Sequence, residues 1–307
     1  MRTLIVGAGS LGCVFAALFK EGGADVTLFE INEEKAELIA KGGLVIRDGN
    51  LVDRKVLVPC VSDIEAAPPP DLILVLVKAY HTERAAREIR FVMGPETKVL
   101  TLQNGLGHIE VLAKHLPKER LFAGITYMSA LQLSEGHVHH TGNGLTIIAP
   151  VLEKSMAGAM ELARYFNDHG ISAGATSDLD ANCWKKLIVN SAINPLTTIY
   201  RIPNGALPKK PEAVRDMAAL VIEGVAVAQK VGVPLNYGEM WAAVLETCRQ
   251  TAENRSSMLM DVESGRPTEI DAINGSIIRI GETYGVDTPT HMRMLKQVTA
   301  IQRGRGE

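Results

Sequence analysis

The sequence predicts an α/β protein: a doubly wound sheet domain over residues 1–175 followed by an all-α domain over residues 176–307. Three observations lead there. Short, continuous apolar runs alternate with amphipathic stretches through the first half, as buried parallel strands and their crossover helices do. A glycine-rich turn, Gly7-Ala8-Gly9-Ser10-Leu11-Gly12, joins the first apolar run to the first amphipathic stretch. Beyond about residue 175 the strand signals stop and helical periodicity takes over.

Leu4-Ile5-Val6 reads as the first buried strand, and Cys13 to Phe19 continues the glycine turn as a helix. Each glycine has its own task in a Rossmann-type turn. One makes the sharp bend, one lets a pyrophosphate approach the backbone, and one lets helix and strand pack closely. The helix N-terminus then faces the phosphates with its positive end. A second strand, Val26-Thr27-Leu28-Phe29, ends in Glu30, near the distance at which a carboxylate meets the adenosine ribose hydroxyls. A glycine turn chosen only for packing is the structural alternative.

Helix Glu33 to Ala40 precedes a hairpin of Leu44 to Arg47 with Val56 to Pro59, turned at Asp48-Gly49-Asn50. Pro68-Pro69-Pro70 stops the chain before strand Leu72 to Val77; helix Glu83 to Arg90 leads to strand Val99 to Leu102. Ligands of such a sheet lie beyond the carboxyl ends of its strands. Two residues stand there: Lys78, placed for cofactor phosphate or ribose, and Asn104, followed by glycines and placed for nicotinamide or substrate. An ordinary Asn-Gly turn is the alternative for Asn104. His137-Val138-His139-His140 has no carboxylate partner at ligand spacing, so it reads as an exposed hairpin and no metal is expected. Thr146 to Ala149 is its return strand.

In the second half Asp178 to Tyr200, Glu212 to Val231, Tyr237 to Met260 and Glu269 to Tyr284 read as helices, with Pro195 kinking the first. Lys186, Asn190 and Asn194 are four apart and share one face, a polar stripe on an otherwise apolar helix. The opposite face carries Lys185, Val189, Ile193 and Leu196 and reads as core, with Lys185 snorkelling. Burying an amine and two amides is costly unless something polar satisfies them, and a small anionic or carbonyl ligand would do so. The alternative is structural: Lys186 bonds a helix-end carbonyl and the asparagines pair with loops. Asn254 and Ser257, three apart, share a second helix face. Thr268 and Glu269 stand at a helix start, where a cap and a favourable charge explain them equally well.

With 307 residues, 46% hydrophobic and 22% charged, the chain suits one large or two ordinary domains. The net charge of -3 and the absence of a basic cluster point away from nucleic acid. Arg303-Gly304-Arg305 is a short basic tail expected to be solvated. Cys13, Cys60, Cys183 and Cys248 form no CxxC pair and suit reduced thiols. No apolar run reaches the roughly 18 residues of a membrane span, and the first apolar run begins too early to leave room for a signal peptide. The expectation is a cytoplasmic protein.

Taken in order, the motifs Gly7 to Gly12, Val77-Lys78-Ala79, Gln103-Asn104-Gly105-Leu106-Gly107, Trp184-Lys185-Lys186-Leu187 with Asn190 and Asn194-Pro195-Leu196-Thr197, Pro203-Asn204-Gly205, Thr251 to Met258 and Thr268-Glu269-Ile270-Asp271 resemble the ketopantoate reductase (2-dehydropantoate 2-reductase) family along essentially the whole chain. The resemblance implies reduction of a branched 2-keto acid, 2-dehydropantoate, to (R)-pantoate with NADPH or NADH. It implies Lys186 as the catalytic lysine and Glu269 as its acidic partner near substrate and cofactor. It places Asn104, Asn190, Asn194, Asn204, Asn254 and Ser257 at the substrate, and Lys78, Asn104 and Ala130 on the cofactor side with Gly7, Ala8, Gly9, Ser10, Leu11, Gly12 and Glu30. NADPH-using members commonly carry an arginine just after the second strand, where this chain has Glu30-Ile31-Asn32; the expectation leans to NADH. Two further readings compete: an NAD-dependent D-2-hydroxyacid dehydrogenase for other branched or aromatic 2-keto acids, and a non-catalytic dinucleotide-responsive binding protein. The expected partner is a small 2-keto acid, with no nucleic acid and no membrane; a homodimer is left open.

Overall fold

The structure, a computed structural model, describes residues 1–49 and 51–304. The chain divides into two compact units: Met1–Gln103 with His108–Leu179, and Asn104–Gly107 with Asp180–Glu307. No helix among the described residues is long and apolar enough to cross a membrane.

The first unit opens with β1 (Arg2–Val6), α1 (Ser10–Glu21), β2 (Asp25–Phe29) and α2 (Glu33–Gly42). Next come β3 (Leu44–Arg47), β4 (Asp53–Val56), β5 (Cys60–Val61), β6 (Leu72–Val75), α3 (Thr82–Val92) and β7 (Lys98–Thr101). It closes with α4 (His108–Leu112), β8 (Leu121–Thr126), β9 (Ser129–Ser134), β10 (His137–Gly142), β11 (Thr146–Pro150), α5 (Met156–Asp168) and β12 (Ala173–Ala175). Eight strands form one sheet in the order β12-β11-β8-β7-β6-β1-β2-β5. The sheet is parallel from β8 to β5, and β11 joins β8 antiparallel.

Both faces are covered, which is why β1 and β6 read as unbroken apolar runs. On one face Phe15 and Phe19 of α1 meet Phe166 of α5 edge-on, with ring centroids 6.0 and 5.1 Å apart. On the other, Ala85, Ala86 and Ile89 of α3 pack against Leu4, Val6 and Ile73.

A second sheet, ordered β4-β3-β10-β9, corrects three expectations. The partner of β3 is Asp53–Val56 rather than Val56 to Pro59, because Arg47 faces Asp53 and bonds it at 2.7 Å. A strand that starts with three charged residues leaves little apolar signal. Asn50, in the expected turn, lies outside the described residues, as does Arg305 of the basic tail. The histidine segment is a hairpin strand, β10 lying antiparallel to β9, but not an exposed one: it runs between β3 and β9 with Val138 buried. Thr146 to Ala149 does not return beside it but pairs with β8 in the main sheet.

The second unit is helical: α6 (Asp180–Tyr200), α7 (Pro211–Lys230), α8 (Tyr237–Gln250), α9 (Ser257–Glu263), a π-helical turn at Asp271–Gly275, α10 (Ser276–Tyr284) and α11 (Pro289–Arg303). Its core joins Leu187, Ile188 and Leu196 of α6 to Met217 and Leu220 of α7 and Val244 of α8. The expected helix from Tyr237 to Met260 breaks after Gln250. Asn204 N and Gly205 N donate to the Asn254 and Ala252 carbonyls at 2.9 and 3.0 Å, taking acceptors that a continuing helix would use. Ser256 then caps α9, its Oγ accepting from Leu259 N at 3.1 Å. The helix expected from Glu269 starts instead with the π turn. Helix α11 is an addition to the sequence reading, although Pro289 at its first turn and buried Thr290, Met294 and Val298 at intervals of four mark it.

The glycine turn gives a direct test of the packing. A Cβ on Gly12 would lie 1.9 Å from the Gly7 carbonyl oxygen, whereas a Cβ on Gly9 would meet nothing within 4 Å. Gly12→Ala is expected to destabilise the protein by about 1–3 kcal/mol or more, the cost of overpacking, and Gly9→Ala to leave the melting temperature near its wild-type value. Thermal unfolding of the two variants checks the contrast.

Candidate active site

In the first unit the turn between β1 and α1 is built as its sequence suggests. Gly7 has φ +108°, a conformation that favours glycine, and its N–H donates to Phe29 O at 3.0 Å. Gly12 permits the close approach of α1 to the turn. Gly9 caps α1 with no side-chain hydrogen bond, and the first turn holds no acidic residue. The helix therefore offers its amide groups and its positive end to an anion, with open space where a Gly9 side chain would stand. Ala8 is buried, and Ser10 and Leu11 begin the helix half-buried. These residues fit a dinucleotide pyrophosphate.

Glu30 follows β2 directly. Its Oε1 accepts from Asn32 N at 3.2 Å, and its Oε2 lies 3.0 Å from Lys35 Nζ. The same amine lies 3.0 Å from Glu135, just before β10. Burial works against the charge, but Glu30 and then Glu135 outweigh it and hold the Lys35 amine above the usual lysine value. Lys78 is half-buried just past the expected strand end and leads into the short 3-10 turn Ala79–His81. Ala130 lies on β9 opposite His140, in the second sheet. Gln103 enters the sequence reading only as part of a motif. Its Nε2 donates to Val77 O at 2.8 Å and Thr82 Oγ1 at 2.9 Å, and its Oε1 accepts from Thr101 Oγ1 at 2.9 Å. It thereby ties the ends of β6 and β7 together, a task its spacing does not reveal.

In the helical unit, α6 continues through Pro195 and carries the polar stripe. Lys185 is exposed rather than laid along the core, while Lys186 and Asn190 are half-buried and Asn194 is buried. Burial pulls the Lys186 amine from 10.5 down to about 8, opposed by Cys183 and Glu269. Burial, helped by Asp180, in turn pushes the Cys183 thiol up to about 11. A thiol with that value is neutral at pH 7, so Glu269 is the anion that supports the protonated amine. Cys183, one turn before Lys186, carries no signal in the sequence beyond its lack of a CxxC partner.

Among the described residues the side chains of Asn190 and Asn194 have no hydrogen-bond partner, so the pairing with loops that a structural role would require is not made. Asn204 does pair: its Nδ2 donates to Thr251 Oγ1 at 2.8 Å, while its Oδ1 is buried with no partner among the described residues. Asn254 is in the break between α8 and α9, and Ser257 is the exposed first residue of α9, so the two do not share a helix face. Glu269 is buried at 8% exposure, and Thr268 Oγ1 accepts from Ile270 N at 3.3 Å just ahead of the π turn, which has no side-chain cap of its own. Asn104 belongs to the helical unit through the segment Asn104–Gly107. There Gly105, at φ +95°, sits so close to Ala272 that a Cβ would lie 2.4 Å from its carbonyl oxygen.

A protonated amine whose proton is readily given up, beside a carboxylate and several carboxamides, is equipped to bind an oxygen-rich ligand and protonate it. Residues 3–153 match the family described as ketopantoate reductase PanE/ApbA, and residues 178–302 match its C-terminal counterpart. The chain is 35% identical over 303 residues to a 2-dehydropantoate 2-reductase of Archaeoglobus fulgidus, covering 99% of this chain and 98% of that one. It is 32% identical over 308 residues to that of Halobacterium salinarum, covering 99% of each. Among solved structures, D-mandelate dehydrogenase with NADH and anilino(oxo)acetate superposes with a TM-score of 0.95 at 29% identity, covering 99% of each chain. The 2-dehydropantoate 2-reductase from Geobacter metallireducens gives 0.91 at 30%, covering 98% of this chain and 99% of that one. The chain belongs to the ketopantoate reductase family.

Proposed function

We propose that the protein reduces 2-dehydropantoate to (R)-pantoate in the cytoplasm, on the route to pantothenate, with NADH or NADPH. The observation that carries this reading is the Lys186 amine, drawn down to about 8 on a helix face shared with Asn190 and Asn194 and supported by the Glu269 charge. Family membership supplies the substrate class.

Reduction of a ketone leaves negative charge on its oxygen. Protonated Lys186 stabilises that charge and transfers its proton to the oxygen, a role worth roughly a hundred- to ten-thousand-fold. Glu269 keeps the amine charged until that moment. Asn190 and Asn194 orient the ketone and hydroxyl groups through their amide N–H donors, while Asn104, Asn204, Asn254 and Ser257 hold the remaining oxygens of the acid. A bound nicotinamide supplies the hydride. Gly7 to Gly12 and Lys78 hold its phosphates, with Ala130 on the same side, and Glu30 accepts from the adenosine ribose hydroxyls.

A second reading has its own support: an NAD-dependent dehydrogenase of other branched or aromatic D-2-hydroxy acids. The likeness to D-mandelate dehydrogenase favours it, as does Glu30 in place of a phosphate-binding arginine. Steady-state rates with 2-dehydropantoate, other branched 2-keto acids and an aryl 2-keto acid separate the two.

Lys186→Ala should lower kcat at least about a hundredfold, the lower range for loss of a general acid, and exposed Lys185→Ala should leave it near wild type. Equal effects would refute the assignment of Lys186. The lysine is protonated below about 8 and neutral above, so kcat/KM for reduction should be level near pH 7 and decline as pH rises through that value. Glu269→Gln removes the charge that raises the amine and should move this decline to lower pH; a profile unchanged by the substitution would assign Glu269 to structure alone.

Cofactor choice follows from the charges beside Glu30. One amine stands between two carboxylates, leaving net negative charge where the 2′-phosphate of NADPH would enter. The ratio of kcat/KM values should favour NADH, and Glu30→Ala or Ile31→Arg should shift it toward NADPH. A wild-type preference for NADPH of about tenfold, roughly 1.4 kcal/mol in the transition state, would show that Glu30 does not face the ribose.

A further inference from the structure

Helix α6 carries Lys186, Asn190 and Asn194, and also a proline in its interior. Pro195 has no N–H, so the bond that residue 195 would send back one turn to the Ser191 carbonyl cannot form. Ser191 is completely buried, where water cannot replace that bond and an unpartnered carbonyl is costly. The donor comes from another segment of the same unit. Asn274, itself completely buried, points its Nδ2 at Ser191 O, 3.1 Å away.

The rest of the contact leaves Asn274 one arrangement. Its Nδ2 also lies 3.1 Å from His291 Nδ1, and His291 Nε2 lies 3.1 Å from Leu220 O. A carbonyl only accepts, so Nε2 carries the ring proton and Nδ1 is an acceptor for the second amide proton of Asn274. Burial, opposed by the Leu220 carbonyl, holds the His291 ring down to about 4, so it stays neutral and remains an acceptor at physiological pH. Turning the amide over would set oxygen against oxygen at Ser191, which fixes its orientation.

Asn274 lies in the π-helical turn Asp271–Gly275, which begins two residues after Glu269. The first bond of that segment, Ile273 N to Glu269 O at 3.0 Å, ties the turn to the Glu269 backbone. We propose that Asn274 is a positioning residue, which locks the Glu269 segment to the Lys186 helix by giving the Ser191 carbonyl the hydrogen bond that Pro195 cannot. Proline leaves an acceptor that the π turn satisfies through Asn274, and Glu269, just ahead of that turn, is the carboxylate whose charge acts on the amine. The inference rests on the roles given above to Lys186 and Glu269.

The test compares Asn274→Ala, Pro195→Ala and the double variant by thermal unfolding and by the pH profile of kcat/KM. Asn274→Ala should lower the melting temperature, reduce kcat about tenfold or more, and move the decline of the pH profile below that of wild type, since Glu269 is no longer held beside Lys186. In the double variant the alanine introduced at position 195 supplies the missing N–H, so the melting temperature should recover most of its loss. The kinetic defect and the displaced pH profile should remain, because the link to the π turn is still absent. An Asn274→Ala variant with a wild-type pH profile overturns the proposal, as does a loss of melting temperature equal in both backgrounds. Should Asn274→Ala fail to fold, the double variant must fold and show the displaced profile; a double variant that also fails to fold overturns it. Wild-type protein that reduces no 2-keto acid refutes the functional reading instead, and the coupling of residues 195 and 274 in thermal unfolding still reports on the hydrogen bond.

Discussion

Withdrawal of one lysine amine from water organises the helical unit. An ammonium group is among the most strongly hydrated groups in a protein, and moving it into a packed interior favours the neutral base. At Lys186 burial brings the amine from 10.5 down to about 8, and Glu269 keeps it from falling further. That balance leaves a group charged at neutral pH yet ready to give up its proton, as a general acid must be. The surrounding architecture maintains it: α6 is buried on every side from Ser191 to Thr198, and Glu269 is buried where the π turn begins.

The first unit solves a different problem with backbone rather than charge. Its turn after β1 brings main chain close to main chain at Gly7 and Gly12, while Gly9 keeps a third position open. In the proposed function, selectivity among anions falls to side chains at the next strand end. There Lys35 is shared by Glu30 and Glu135, so its amine is already held by two carboxylates. Partly buried ion pairs of this kind add little to stability, but they set the sign of the local field.

Much of this was legible in the sequence wherever a local rule applied. The glycine turn, the strand ending at Glu30 and the Lys186 stripe all follow from spacing of two, three or four residues, because strand and helix periodicities fix which residues share a face. Readings failed where partners are distant in the chain. Asn254 and Ser257 read as one helix face until the backbone of Asn204 and Gly205 claims the carbonyls that would have continued α8. The histidine segment reads as an exposed hairpin because nothing local says that β3 lies beside it. Lys185 and Lys186 differ by one position: Lys186 is half-buried with a desolvated amine, as the stripe predicts, while Lys185, read as lying along the core, is exposed.

The sequence by itself determined the class of fold, the glycine turn after the first strand and the polar face of α6, since each is encoded in short-range periodicity and in residues with special backbone freedom. Only the tertiary structure decided which polar groups are satisfied. Pro195 announces a missing hydrogen bond, but its replacement comes from Asn274, 83 positions beyond Ser191. Glu269 could have been no more than a helix-start charge, and its charge acts on Lys186 because it is buried in the same helical unit as that desolvated amine. Desolvation and hydrogen-bond satisfaction depend on everything packed around a group, and that information exists only once the chain has folded.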